Sequence, residues 1–428
     1  MSIKWICVLH FYQPPFQKPS ILNQIVNECY LPLTQMLVEK KEDFCIYINI
    51  NQSLIEQLIA NGHAKVIENI KALIKMKKVR LTLTPSFHPI LPLISKDIVI
   101  QQVTDNLDTL KTLFKFSDFD LFFPPELAYD PNSNLNSLPV LLSQGALASD
   151  EYVSFVKYKN KKFIIRQNDL SNMLMGGQIK SFKNINKLNF IDKNGYFVTA
   201  VDAETFGHHR KGYITNLEAL LNEVNTVFIS DSYTKVDCLN ISSWSSLKGQ
   251  KPFILWKDEK NELHKKLWKF VDFAKENIRT NQDKVNLYKG MSSCTFWWAS
   301  ANPWWSIEML ERGAWQIYKA LSVSNLKVQK QAYERYSDIV LLAFKWQREG
   351  VIDKKFEIDE TKTVPFSKRC KKGEFETYIN KFEQAEKQAV AEQNYELAIK
   401  WRDAITKLKN NTDQYDNWHV VDQLRNYQ

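Results

Sequence analysis

Apolar positions change rhythm along this chain of 428 residues. Short β-type runs at 4–9, 44–49, 79–84, 120–123, 145–149, 162–166 and 196–201 alternate with amphipathic stretches such as 53–61 and 97–114. Within 97–114, Ile98, Val103, Leu107, Leu110 and Leu113 recur close to the helical period, which predicts one buried helical face. Alternation of this kind predicts a parallel sheet covered by helices. Seven strands with polar motifs at several strand ends fit a distorted β/α barrel better than an open sheet, where ligand groups gather at one switch point.

From residue 259 the pattern turns helical. Leu263, Leu267, Phe270, Val271 and Ala274 mark one amphipathic face, 307–321 another and 333–349 a third, so a helical bundle beside the barrel is expected. Residues 350–373 are polar, interrupted by Pro365 and aperiodic, which reads as a linker. Two short helices follow, at 374–392 and 395–409, broken at Gln393-Asn394. In the second, Tyr395, Ala398, Ile399, Arg402, Ile405 and Leu408 share a face. The expected organisation is α/β: a distorted seven-stranded β/α barrel over 1–258, a helical bundle over 259–349 that completes the active site, a linker over 350–373, a helical hairpin over 374–410 and a tail over 411–428.

Composition narrows the class without changing the fold. Hydrophobic residues at 44% and charged residues at 25% are ordinary for a globular protein, and 12 glycines exclude a glycine-rich or fibrous architecture. Six scattered cysteines without a C-x-x-C pair support neither a disulfide framework nor a zinc ribbon and fit a reducing compartment. The apolar stretch from Trp5 to Leu9 is too short for a signal-peptide core, and nothing approaches the length of a membrane span. A cytoplasmic protein without a membrane partner is expected. The net charge is +9, yet residues 351–428 hold 14 basic and 14 acidic side chains, so the excess lies upstream. Residues 155–195 carry nine Lys/Arg against two Asp, interleaved with Asn, Phe and Ile. We read that stretch as solvated surface in preference to a nucleic-acid face.

Five clusters carry candidate chemistry. The first, His10-Phe11-Tyr12-Gln13-Pro14-Pro15, ends the first strand and offers a histidine and an amide; it also fits a turn closed by two prolines. The second, Ser86-Phe87-His88-Pro89-Ile90-Leu91-Pro92-Leu93, follows the third strand and equally fits a rigid loop. The third, Phe122-Phe123-Pro124-Pro125-Glu126, places a glutamate where an aromatic strand ends, though acids also favour a helix's first turn. In the fourth, Asp202-Ala203-Glu204-Thr205-Phe206-Gly207-His208-His209, two carboxylates follow a buried strand; Asp202 as a helix cap is the plainer reading. The fifth runs from Ser292 to Trp305, with Trp297, Trp298, Trp304 and Trp305 inside nine residues. Indole faces suit the apolar C–H face of a sugar ring, and equally a seam between bundle and barrel. The histidines lack the clustered spacing of a zinc site, and neither metal nor cofactor is expected.

Taken in order, H-x-Y-Q-P, H-P-I-L-P-L, P-x-E, D-A-E-T-F-G-H-H and F-W-W-A-S-x-x-P-W-W resemble glycoside hydrolase family 57 over roughly residues 1–310, with the helical region to about 349 as its continuation. The resemblance implies a seven-stranded β/α barrel with a helical bundle, acting on α-glucans with retention of configuration. It assigns Glu126 as nucleophile and Asp202 as acid/base, with His10, Gln13, His88 and Glu204 lining the sugar site. Trp297, Trp298 and Trp304 are the expected stacking platforms. A retaining glycosidase needs one ionised carboxylate and one protonated acid about 5–5.5 Å apart. Only a closed sheet can bring together two residues 76 positions apart. Three positions depart from the family pattern: Tyr12 stands where many members have a second histidine, Arg80 lies in a strand that often carries glutamate, and Phe123 replaces a frequent tryptophan.

Residues 391–405, centred on Asn394-Tyr395-Glu396-Leu397-Ala398-Ile399, resemble the UVR motif over about 374–410. That motif is a small hairpin of excision-repair subunits and Clp-protease adaptors, so the resemblance implies a docking module for a protein partner or a second copy. The expected activity is hydrolysis or transfer on α-1,4-linked glucans or maltooligosaccharides. A glucan-binding regulatory protein without catalysis, or a nucleic-acid-associated factor, are the competing readings.

Overall fold

The computed structural model describes residues 3–133, 137–149, 151–183, 185, 190–229, 233–245, 251–301, 304–352, 365–370 and 373–411. Most of the expected linker and of the tail lie outside these. The chain divides into two compact units, one comprising Met1–Ser300 with Trp304–Phe344, the other Ala301–Pro303 with Lys345–Gln428.

Strand β1 (Lys4–Phe11) lies at the centre of a parallel ladder, between β2 (Ile46–Ile50) and β7 (Tyr196–Asp202), and β2 pairs with β3 (Val79–Leu81). Beyond β3 the 121–123 segment continues the sheet: Leu83 N donates to Leu121 O (2.9 Å), and Leu141 N of β4 (Val140–Ser143) donates to Phe122 O (2.9 Å). Strand β4 pairs in parallel with β6 (Lys161–Arg166). Gln167 N then donates to Val198 O (2.8 Å), joining the end of β6 to β7. Seven strands thus close on themselves, as the alternation predicts.

Alternation sorts the strand side chains. One set, including Trp5, Leu9, Ile46, Ile48, Val79, Leu142, Ile165 and Phe197, is buried against the surrounding helices. The other fills the lumen: Ile6, Val8, Tyr47, Leu121, Phe123, Leu141, Ile164, Tyr196, Val198 and Ala200. Barrel interiors are packed in this way. Continuing each lumen series by two residues reaches His10, Asn49, Arg166 and Asp202, all at strand C-termini. The apolar lumen therefore ends in a polar layer.

Five of the expected strands form where the pattern places them, and the sixth run, 120–123, joins the sheet through bridges at Phe122 alone. The seventh does not: residues 144–146 form a 3-10 turn, and the barrel strand is Val140–Ser143. The polar Gln144-Gly145 pair ends the strand earlier than its apolar continuation suggests. An antiparallel hairpin also joins β5 (Phe155–Tyr158) to β6 through Lys159 and Asn160, both with positive φ.

Helix Lys96–Phe114 buries Ile98, Val99, Gln102, Asn106, Leu110 and Phe114, so its inner face is turned from the purely apolar stripe. Two buried amides explain the turn. Gln102 Oε1 accepts from Phe87 N (3.2 Å), and Asn106 Nδ2 donates to Thr84 O (2.9 Å), pinning the loop that carries His88. Buried polar groups are tolerated where they are hydrogen-bonded.

Helices Glu262–Asn277, Asn281–Gly290, Ser293–Trp297 and Ile307–Lys319 follow, with Leu326–Arg348 after them. The first buries Leu263, Leu267, Phe270, Val271 and Ala274 as its periodicity predicts. In the second unit, helices Glu374–Ala391 and Tyr395–Lys409 form a hairpin with its own core of Ile379, Phe382, Ala389, Ala398, Trp401, Ala404, Ile405 and Leu408. Asn394 caps the second helix by accepting from Leu397 N (3.2 Å).

Gly313 packs against the Ser293–Trp297 helix so closely that an added Cβ would lie 2.3 Å from Thr295 Oγ1. Gly313→Ala is therefore expected to cost about 1–3 kcal/mol by overpacking. Thermal unfolding checks this, and an unchanged midpoint would contradict the close packing.

Candidate active site

Glu126 sits in a short 3-10 turn, Pro125–Leu127, directly after the 121–123 strand segment. Its backbone is left-handed (φ 56°), which for a non-glycine residue stores roughly 1–3 kcal/mol of strain. The turn holds through Leu127 N to Pro124 O (2.9 Å) and Trp244 N to Glu126 O (2.8 Å). The side chain does not act as a helix-terminal charge. Its Oε1 accepts from Ser293 Oγ (2.8 Å) and its Oε2 from the indole Nε1 of Trp244 (2.6 Å).

Ser293 connects two of the expected site residues. Its hydroxyl has one proton, donated to Glu126, so at His88 Nδ1 (2.9 Å) it is the acceptor. His88 is also left-handed (φ 58°), and Ser293 N donates to its carbonyl (2.9 Å). Burial, with His10 nearby, keeps the His88 imidazole well below its usual range and hence neutral. With Nδ1 protonated, the buried Nε2 is an acceptor without a protein partner.

His10 lies beside Asn49 and Asp202 in the strand ladder. Its Nδ1 donates to Asn49 Oδ1 (2.6 Å), whose Nδ2 donates to Thr82 Oγ1 (2.7 Å). The His10 ring stacks on Phe123 (4.9 Å) and on His88 (5.1 Å). Tyr12 lies over His88 with ring centroids 3.9 Å apart, its hydroxyl 3.5 Å from Cys294 Sγ. The Phe123 and Tyr12 departures thus form part of one aromatic stack.

Asp202 ends β7 and is exposed, although it precedes a 3-10 turn whose backbone it does not cap. The plainer capping reading is removed. Below it lies Arg166, buried, donating from Nε to Ala200 O (2.9 Å) and from its two terminal nitrogens to Asn168 and Asn172 (3.0 Å each). Burial pulls the guanidinium down to about 10 while Asp202 pulls it back up.

Glu204 is turned away from that surface. It is buried, and its Oε1 accepts from Gln13 Nε2 (2.7 Å) and from the Tyr30 hydroxyl. Burial, then the neighbouring Asp202, pushes its carboxyl well above the usual range. Gln13 is buried as well, and its Oε1 accepts from Gln17 Nε2 (3.0 Å). Gln13 and Glu204 are thus joined in one buried network behind the rim. Trp297 stacks on Trp304 (4.5 Å) and meets Trp298 edge-on (4.7 Å); Trp304 is 39% exposed. Arg80 is engaged one layer down, bonded to Asp120 and lying 4.3 Å over the Phe228 ring.

Trp244, Asn49 and Arg166 lie outside the five motifs, and Ser293 lies inside the fifth, whose tryptophans rather than its serines drew the expectation. Strand alternation points to Asn49 and Arg166. Nothing local points to Ser293 or Trp244, which reach Glu126 across 167 and 118 residues of chain.

A glutamate at the mouth of a closed β/α barrel, braced by two donors and sharing a rim with an exposed aspartate, is an arrangement found in glycoside hydrolases. The profile of Glycosyl hydrolase family 57 matches residues 8–237, more than half of the chain, and the chain belongs to that family. That span contains His10, Gln13, His88, Glu126, Asp202 and Glu204; the tryptophan cluster lies beyond it. The UvrB/uvrC motif, UVR, matches residues 376–411. No curated protein gives a match.

Solved structures with the same fold include 4-alpha-glucanotransferase from Thermococcus litoralis, at TM-score 0.59 and 14% identity, covering 75% of this chain and 60% of that one. A GH57-type branching enzyme from Pyrococcus horikoshii aligns at 0.58 and 14% identity, covering 80% and 96%. An exo-type maltose-forming amylase from Pyrococcus sp. ST04 aligns at 0.55 and 12% identity, covering 81% and 83%. The chain thus spans about three-fifths of the glucanotransferase's length. At these identities the likeness shows the fold. Among the described residues no helix is long and apolar enough to cross a membrane.

Burial pushes the Glu126 carboxyl up to about 7, against the pull of Ser293 and Trp244. Deleting a donor weakens the charged form, so Ser293→Ala and Trp244→Phe should each raise the acid limb of the kcat/KM pH profile by about one unit. An unmoved limb in both variants would mean that neither bond matters in solution.

Proposed function

We propose that the chain is a retaining glycoside hydrolase or glucanotransferase acting on α-1,4-linked glucans, with Glu126 as nucleophile and Asp202 as acid/base. The observation that carries this reading is the bracing of Glu126. Ser293 and Trp244 each hold one carboxylate oxygen, on a backbone locked in a strained conformation. A nucleophile held this way loses little entropy on reaching the anomeric carbon. Asp202 is exposed at the end of β7 and near enough to Glu126 to act on its charge, so a leaving oxygen can take its proton.

In this mechanism ionised Glu126 attacks the anomeric carbon while Asp202 protonates the departing glycosidic oxygen. The glycosyl–Glu126 ester then opens to water, or to a sugar hydroxyl, deprotonated by Asp202. Water gives hydrolysis, and a second glucan gives transfer. Neutral His88, with Nε2 as an acceptor, and His10 bind sugar hydroxyls. The Trp297, Trp298 and Trp304 cluster stacks on sugar rings. Gln13 and Glu204 support the loop that follows the strand bearing His10. Solved structures that share the fold include a glucanotransferase, a branching enzyme and a maltose-forming amylase, which supports the choice of an α-glucan.

For the hairpin, the reading is a protein-docking module. Its own core leaves Val390, Tyr395 and Ile399 exposed at 48%, 62% and 47%, and such apolar side chains favour self-association. Ile399→Asp is expected to reduce the oligomeric mass seen by light scattering and to leave oligosaccharide turnover intact. A monomeric wild type would reject self-association.

Turnover of maltooligosaccharides by wild type against Glu126→Gln and Asp202→Asn tests the chemistry. Each substitution should lower kcat by at least about a thousandfold. Glucan binding without product in the wild type would instead favour the regulatory protein.

A further inference from the structure

Outside the Glu126 centre, helix Ile307–Lys319, Tyr336 and the loop after β1 line an open surface cavity of about 570 Å³. That volume lies in the range of small-molecule sites. Its apolar part is aromatic. Trp315 is 38% exposed, although Tyr318 (4.9 Å) and Tyr336 (5.3 Å) back its ring. Its polar part is an amide, carboxylate and guanidinium set from Gln17, Gln316, Glu311 and Arg312.

These groups are held in place. Arg312 donates to Phe16 O (2.9 Å) and pairs with Glu308 (3.0 Å), which also takes Lys18 (2.7 Å). The Tyr336 hydroxyl donates to Glu311. A flat aromatic ring among fixed donors and acceptors suits a sugar, whose C–H face is apolar and whose rim is hydroxyl. The two glutamates offset Arg312 and Lys18, so a polyanion finds no net positive charge.

We propose that this cavity is a second glucan-binding site, distinct from the reaction centre, with Trp315 as its stacking platform. The inference rests on the α-glucan reading above. The two sites share one loop: Gln17, at the cavity wall, donates to Gln13, which donates to Glu204 (3.0 Å and 2.7 Å). Sugar bound here holds a polysaccharide beside the reaction centre, so long substrates benefit and short ones do not.

Native gel electrophoresis of the full chain through glycogen-containing gels tests it, alongside turnover of maltotriose and of glycogen. Losing one ring stack should weaken glycogen retardation of Trp315→Ala roughly threefold to tenfold and raise KM for glycogen similarly, with maltotriose turnover unchanged. Trp315→Phe, which keeps a ring, should recover part of the retardation and guards against misfolding. Equal retardation of wild type and Trp315→Ala overturns the proposal, as does a wild type that is not retarded. So does a change of oligomeric mass in Trp315→Ala with retardation intact, which would make the cavity a contact between copies. Failure of the enzymatic reading is seen separately, as maltotriose turnover no greater than that of Glu126→Gln.

Discussion

The alternation of side chains across seven closed strands is the constraint on which the rest depends. Because successive residues point to opposite sides, an apolar lumen series at Ile6 and Val8, Tyr47, Ile164, and Val198 and Ala200 must continue into His10, Asn49, Arg166 and Asp202. Each of those side chains would be costly inside a packed lumen. At the strand ends they meet one another and the outside, and the polar layer becomes the floor of a site.

Glu126 has a different origin. It belongs to no strand, and its position comes from a two-proline turn with a left-handed backbone. Burial works against its charge, and Ser293 and Trp244 work for it. The two donors come from the helical region and from the segment after the short strand Thr234–Lys235, so the ionisation of one barrel carboxylate depends on segments far along the chain. Helix packing at Gly313 therefore bears on the chemistry as well as on stability, since it seats the short helix that begins with Ser293.

Much of this was legible beforehand. Strand–helix alternation predicted the closed parallel barrel, and apolar periodicity predicted the buried face of Glu262–Asn277. Both hairpin helices form where expected, but in the second Tyr395, Ile399 and Arg402 of the expected face are exposed, and Trp401 and Ala404 join Ala398, Ile405 and Leu408 in the core. Where reading failed, the reason is physical. The strand expected at 145–149 lies at Val140–Ser143, because a run of apolar residues has no period of its own to mark its end. The inner face of Lys96–Phe114 was misjudged because Gln102 and Asn106 are buried by hydrogen bonds, which hydrophobicity does not record. Glu204 looked equivalent to Asp202 from its spacing, yet one faces outward and the other is enclosed by Gln13 and Tyr30.

The amino-acid sequence alone determined the fold class, the family and the residues available for chemistry. These follow from short-range pattern: periodicity, turn residues and the order of motifs at strand ends. Tertiary structure decided which groups act on which. Ser293 and Trp244 on Glu126, Arg166 beneath Asp202 and Tyr30 against Glu204 are contacts between segments remote in the chain. Only closure of the barrel and packing of the helices on its rim bring them within hydrogen-bonding or electrostatic reach, and burial then sets the charge each carries.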